Sequence, residues 1–285
     1  MVTVITSLNP GIRRPNSDGN DIGIDYQRQC LASWRNAGAR VVSVNADEEI
    51  HRLERLGYEA TFVCVETRSF MPGERPLPGI SSAIEVAKQC ENEIVLLTNS
   101  DIFFASGPWR LQSIEAMVGQ NAFLVANRFD VPALGAAFGS PQPWGHDVFA
   151  FHASQAGNLD PDVFAFGSPW WDYWLPISAL IGGLELKFLE GQDFWHMMHD
   201  QAWSWSSWNF GCRVFVNKLQ DALRYPEKVR SINDFGVEFL RYMLVPILAE
   251  LQHELDIRRE MPAKLAMEMS RFVLKTIREA SAQSK

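Results

Sequence analysis

The amino-acid sequence predicts an α/β protein: a mostly parallel central sheet flanked by helices, with a helical hairpin after it. Three observations carry this. Strand-like and helix-like segments alternate through about the first hundred residues, and such alternation builds parallel sheets covered on both faces. Ile94 to Leu97 is a short apolar run bounded by polar residues, the pattern of a strand buried on both sides. From about residue 226 the apolar residues recur at i, i+3 and i+4, as in an amphipathic helix.

Residues 2–8 are β-branched and read as the first strand. Residues 9–24 are rich in Asn, Pro, Gly and Asp and form a long loop. Loops of that length inside compact domains tend to be functional or disordered. This one carries Arg13 and Arg14, and guanidinium groups pair well with phosphate oxygens. The competing reading is a solvated surface pair. Residues 25–37 place Gln27, Cys30, Leu31 and Trp34 on one helix face, and Gly38 closes the helix. Residues 40–45 form a strand, and Asp47-Glu48-Glu49 opens the next helix. Those charges suit a helix N-terminus; the functional alternative is a ribose or base contact. A strand at 60–65, a loop at 66–78 and a helix at 79–90 lead to the buried run at 94–97.

That run stops at Thr98-Asn99-Ser100-Asp101. An acidic residue therefore lies just past the carboxyl end of a central strand, where open α/β sheets bind ligands. A carboxylate flanked by an amide and a hydroxyl suits Mg²⁺ or Mn²⁺. The plainer alternative is an Asp capping a following helix.

Further along, residues 122–130 read as a strand, 131–145 as a loop, and 148–151 as a strand preceded by His146 and Asp147. Residues 157–169 are loop, 170–181 a helix despite Pro176, and 184–189 a strand. Arg128, Asp130, His146 and Asp147 fall at strand ends on one expected edge, where they would meet a sugar, or else are ordinary strand-end polar residues. Nine of the ten tryptophans lie between Trp109 and Trp208. Asp172 sits among Trp170, Trp171, Tyr173 and Trp174. Aromatic faces stack on sugar rings, and apolar surroundings raise a carboxyl's pKa into the range of a general base. The alternative is a helix-start Asp among core tryptophans. His196 and His199 are spaced i, i+3, so on a helix both would share one face and join Asp101 around a metal.

Leu240, Met243, Leu244, Ile247 and Leu251 give the first helix of the hairpin, and Leu265, Met269, Phe272 and Val273 the second, which opens after Pro262. We divide the chain into residues 1–222 and a helical extension at 223–285. The hairpin is expected to pack on its own domain or on a second copy in a homo-oligomer. Lys264, Arg271, Lys275 and Arg278 leave a peripheral membrane contact open, although Glu260 and Glu268 share the polar face.

The 285 residues carry a formal net charge of −8, which argues against a nucleic-acid binder. Cys30, Cys64, Cys90 and Cys212 show no Cys-x-x-Cys spacing, so a zinc knuckle or redox motif is not expected. Three of them lie in apolar segments and are expected to be buried thiols, as in a reducing cytosol. The N-terminal stretch lacks a charged leader, and no apolar run approaches the ~18 residues of a spanning helix. A cytoplasmic location is expected.

An apolar strand followed by Asn99-Ser100-Asp101-Ile102 resembles the nucleotide-sugar and metal motif of GT-A-fold glycosyltransferases. That family usually shows Asp-x-Asp, and here Asn99 stands in the first acidic position. The resemblance covers roughly residues 1–215 and implies a GT-A-like, Rossmann-like fold for residues 1–222. It implies a nucleotide-diphosphate sugar donor, a divalent cation (Mn²⁺ or Mg²⁺) and a saccharide or glycoconjugate acceptor. By the same resemblance Asn99, Ser100, Asp101, Arg13 and Arg14 would face the donor, and Asp101 with His196 and His199 the metal. Asp172, with Asp147 beside it, would supply the base, and Trp170, Trp171, Arg128 and His146 would contact sugar. Inversion is preferred, because no second carboxylate is evidently placed for a covalent intermediate. A non-catalytic carbohydrate- or nucleotide-binding protein on the same fold is the alternative, supported by Asn99. A nucleotidyltransferase ranks last, since residues 9–20 lack a compact Gly-rich signature.

Overall fold

The computed structural model describes residues 1–224 except 17, 72, 143–145, 162 and 200–203, together with 271 and 275. The expected hairpin at 226–279 falls outside these residues, Arg271 and Lys275 apart. Strands and helices alternate as the sequence predicts: β1 Val2–Thr6, α1 Gly23–Asn36, β2 Arg40–Asn45, α2 Asp47–Arg55 and β3 Thr61–Cys64. The predicted loop that follows contains a short hairpin, β4 Thr67–Ser69 and β5 Pro76–Pro78. Its strands are three residues long, and β5 begins and ends in proline, so neither length nor propensity announces it. Next come α3 Ile80–Lys88 and β6 Ile94–Thr98.

After Asp101 the chain enters a strand, β7 Ile102–Phe104, and not the helix an Asp cap would start. Helix α4 Pro108–Val118 follows, opened by Pro108 and closed by Gly119 at φ 53°. The single strand predicted at 122–130 is two strands, β8 Ala122–Ala126 and β9 Phe129–Val131, broken at Asn127 and Arg128. They belong to different sheets. Then come β10 Ser140–Pro141, β11 Val148–His152, a 3₁₀ turn Ala153–Asn158, α5 Trp171–Ile181, β12 Glu185–Leu189, β13 Phe194–Met197 and α6 Trp205–Arg224. Among the described residues no helix is long and apolar enough to cross a membrane.

The main sheet has seven strands in the order β12-β8-β11-β6-β1-β2-β3. Every pair is parallel except the two made by β11. From β1 the chain moves outward through β2 and β3, then crosses back to place β6 on the other side of β1. The connections leaving β1 and β6 therefore diverge, and a crevice opens at their carboxyl ends. Because β11 runs antiparallel, Val148 lies opposite both Thr98 and Ala126. The residues just before β11 thus reach the same edge as those just after β6 and β8. A second sheet, β10-β9-β13-β7, stands beside that edge.

Alternate strand residues feed two cores, as the two-residue period demands. Val95, Leu97, Phe123 and Phe149 join Trp170, Trp171 and Trp174 on one face. Ile94, Leu96, Leu124 and Ala150 join Leu31, Trp34 and Ile114 on the other. Cys30, Cys90 and Cys212 are buried, and Cys64 is exposed. The long loop after β1 crosses the start of α1 so closely that a Cβ on Gly23 would lie 2.3 Å from the Ile12 carbonyl oxygen. Gly23→Ala is therefore expected to cost about 1–3 kcal/mol, read as a lower urea midpoint at unchanged m-value.

Candidate active site

Helix α1 props up the turn that carries Asp101. Trp34 Nε1 donates to the Ile102 carbonyl at 3.0 Å, and Ser33 Oγ accepts from the Phe104 amide at 2.9 Å. Tyr26 Oη donates to the Asp101 carbonyl at 2.6 Å and accepts from the Met197 amide at 2.9 Å. One phenol thus ties the turn after β6 to the end of β13. The Gln27 amide meets Ser100 Oγ at 2.8 Å and is better satisfied with its O and N exchanged, when it also bonds Asn9 and Tyr58. Tyr26→Phe removes the acceptor of a buried amide, which typically costs ~1–3 kcal/mol. A lower melting temperature is expected.

Register explains the rest. In the small sheet His196 lies opposite Ile102 of β7 and Asp130 of β9. Its ring accordingly spans two carboxylates: Nδ1 is 2.9 Å from Asp130 Oδ1, and Nε2 is 3.4 Å from Asp101 Oδ2. The histidine pair is not helical, as its spacing suggested. His196 is in β13, and His199 lies two residues beyond its end. There His199 Nε2 still comes within 3.7 Å of Asp101 Oδ2.

Burial alone would raise the Asp101 carboxyl. The hydrogen bond from His196 and the charges of His196, Arg14 and His199 outweigh it and hold the group well below the usual carboxylate range. His196 shows the mirror case. Burial would lower it, but the hydrogen bonds to Asp101 and Asp130 raise it. Of the two arginines, Arg14 is buried with Nη2 2.5 Å from Asp101 Oδ2, whereas Arg13 is exposed. Asn99 and Ser100 are partly buried beside Asp101. Glu49 accepts from Asn45 Nδ2 and pairs with Arg75, so this member of the acidic trio braces the end of β2.

One ligating atom each from Asp101, His196 and His199 lies within 4.8 Å of the others. A carboxylate with two imidazoles fits a transition-metal cation such as Mn²⁺ better than Mg²⁺, which favours oxygen ligands. Asp130 on His196 Nδ1 leaves Nε2 facing the centre, as outer carboxylates do in metal sites.

The charged chain continues from Asp130. Arg128 Nε is 2.8 Å from Asp130 Oδ1, and Arg128 Nη1 is 3.1 Å from Asp147 Oδ1. Asp172, in the first turn of α5, accepts from the His146 amide at 3.3 Å. Burial, helped by the Asp147 charge, pushes the Asp172 carboxyl up to about 7. Pro176 sits four residues on and has no N–H for the Asp172 carbonyl. His146 is fully buried, its Nδ1 2.5 Å from Asn127 Oδ1. Burial lowers its pKa to about 3, so the ring is neutral, and its Nε2 has no hydrogen-bond partner among the described residues.

The two tryptophans expected to stack on sugar are core residues. Trp170 is 1% exposed and packs against Tyr173, Trp208 and Phe215; Trp171 is 3% exposed and packs against Phe149 and Phe166. Trp170 also adopts a left-handed conformation, φ 77°, which costs an L-residue about 1–2 kcal/mol. Its buried ring fixes that turn and thereby the start of α5. Tyr26 and Asp130 are the site residues the sequence marks least. The first reads as one more buried helix residue, and the second as a strand end.

Among solved structures, the chain is similar to a 1–349 fragment of S. aureus TarS, with 12% identity, a TM-score of 0.49, and coverage of 98% of this chain and 82% of that one. The same fragment in complex with UDP-GlcNAc gives 13% identity, a TM-score of 0.47, and coverage of 100% and 92%. The inositol-1-phosphate CTP transferase from T. maritima gives 13% identity, a TM-score of 0.40, and coverage of 75% and 95%. No protein-family model and no curated protein matches the chain.

Proposed function

We propose that this chain is a GT-A-type glycosyltransferase that moves a sugar from a nucleotide-diphosphate donor to a saccharide or glycoconjugate acceptor. One observation carries the reading. The switch-point crevice gathers a cation-ready set, Asp101, His196 and His199, and a chain of contacts through Asp130, Arg128 and Asp147 leads from it to a carboxyl poised near neutrality, Asp172. Diphosphate binding suits the first feature and proton abstraction suits the second.

When bound, the cation would neutralise the charge that develops on the leaving diphosphate. The protein's own groups do the rest. Asp172 takes the proton of the acceptor hydroxyl as its oxygen attacks the anomeric carbon. The bond from that carbon to the diphosphate oxygen breaks, and the nucleoside diphosphate leaves with the electron pair. Arg128 holds Asp147 in an ion pair beside Asp172. With Asp101 turned to the cation and Asp147 to Arg128, Asp172 acts alone, which supports inversion. Residues 226–279 would add a surface for a second copy or a membrane.

A non-catalytic binding role is the second reading, favoured by Asn99 where the resembled motif has a carboxylate. Incubation with UDP-, GDP-, CDP- and dTDP-sugars and Mn²⁺ separates the two. Release of free nucleoside diphosphate from one donor, abolished in Asp101→Asn, supports the transferase. Binding without release from any donor, with acceptors of several classes present, supports the binding protein.

A further inference from the structure

The oxygen that a cation would take is the one a guanidinium already holds. Asp101 Oδ2 lies 3.4 Å from His196 Nε2 and 3.7 Å from His199 Nε2, and Arg14 Nη2 lies 2.5 Å from it. Arg14 is no stray surface side chain. It is 8% exposed, its Nη1 donates to the Arg13 carbonyl, and its guanidinium carbon lies 6.0 Å from the centre of the Tyr26 ring. Its backbone is fixed as well. The Arg14 amide donates to Asp21 Oδ1 at 2.9 Å, the Ile22 amide donates to the Arg14 carbonyl at 2.8 Å, and the same Asp21 oxygen accepts from Gly23 at the start of α1. Yet Arg14 Nε is buried and has no hydrogen-bond partner among the described residues. A buried guanidinium with an unused donor is a group built to meet one more acceptor.

We propose that Arg14 is a latch on the cation site. In the cation-free protein it neutralises Asp101. A divalent cation competes for Oδ2, and two positive charges a few ångströms apart repel strongly at low local dielectric. Cation binding therefore displaces the guanidinium from Asp101, and the freed fork turns to the diphosphate oxygens of the donor, whose geometry it matches. Loading of the cation and capture of the diphosphate become coupled through one side chain. The inference rests on the cation site proposed above and adds an order of events to it.

Mn²⁺ binding, followed by the electron paramagnetic resonance of the free ion, tests the latch without any turnover. The proteins are wild type, Arg14→Met and Asp101→Asn. Arg14→Met is expected to bind Mn²⁺ about tenfold more tightly than wild type, roughly the effect of removing one competing charge. It is also expected to bind inorganic pyrophosphate more weakly at saturating Mn²⁺. Asp101→Asn is expected to lose Mn²⁺ affinity by at least about tenfold. Equal or weaker Mn²⁺ binding in Arg14→Met, with affinity lost in Asp101→Asn, overturns the latch and leaves the cation site standing. Unchanged Mn²⁺ binding in Asp101→Asn, or none in any protein, overturns the cation site and the latch together. Should Arg14→Met fail to fold, Arg14→Gln, which also removes the charge, replaces it. Affinity above wild type supports the latch, and affinity at or below wild type overturns it.

Discussion

Asp172→Asn is expected to lower kcat by about 10²–10⁴-fold, the range for loss of a positioned base, while donor affinity stays within about twofold. The asymmetry follows from partners: Asp172 lies at the start of α5 and bonds the His146 amide, whereas Arg14, His196 and His199 gather on Asp101. Wild-type kcat/KM is expected to rise with pH through about 7, where Asp172 loses its proton, and that limb should vanish in the variant.

The same carboxyl also gives a stability prediction of opposite sign. Its folded pKa of about 7 is above the ordinary 3.8, so between those values the folded state holds a proton that the unfolded state has lost. Stability therefore falls as pH rises through the window, by up to ~1.4 kcal/mol per unit of it. Asn cannot ionise, and its carbonyl can still accept from His146. Asp172→Asn should thus melt higher than wild type at pH 8 and about the same at pH 4. A pH series of melting curves beside the pH-rate profile checks both. A variant that is inactive yet no more stable at pH 8 would separate catalysis from the burial argument.

Asp101→Asn is the second large effect. Arg14, His196 and His199 all point side-chain nitrogens at this carboxylate. Removing its charge strands them, and breaking a buried pair from one side costs about 3–5 kcal/mol. The effect should depend on pH. Because the Asp101 pKa is held below 3.8 in the folded state, its contribution is present above that pH and is lost as pH falls further. Wild type and variant should therefore converge in urea stability under strong acid and differ most near neutrality. A difference that is flat with pH would count against the ion cluster.

Much of the sheet is legible in sequence because β1 and β2 are rich in β-branched residues and β6 is built on a continuous apolar run, and such local patterns need no partner to be recognised. Asp101 is legible for the same reason, as the first charge after one of them. The small sheet is not. Strands β7 and β9 are three residues each, and they are strands only because segments about 65 to 90 residues apart in sequence pair with β13; β10 is two residues and pairs with β9. Their spacing therefore suggested a helix for His196 and His199, although the pair does converge on Asp101. The aromatic cluster was ambiguous for another reason: tryptophans that stack on a sugar and tryptophans that fill a core have the same composition. The left-handed turn at Trp170, which sends the ring inward, leaves no trace in the residues around it. Arg14 could be read as a phosphate ligand from its place after β1. Its hold on Asp101 depends on the switch-point geometry, which no local pattern encodes.

The most direct test of the central claim is a thermal-shift titration of the wild type with UDP, GDP, CDP and dTDP, each with and without Mn²⁺, repeated on Asp101→Asn. A ligand that binds only the folded state raises the melting temperature by mass action. The expected result is stabilisation by one nucleoside diphosphate that requires Mn²⁺ and disappears in Asp101→Asn. Stabilisation that is equal without Mn²⁺ and survives the substitution, or none with any of the four, would contradict a donor site built on Asp101.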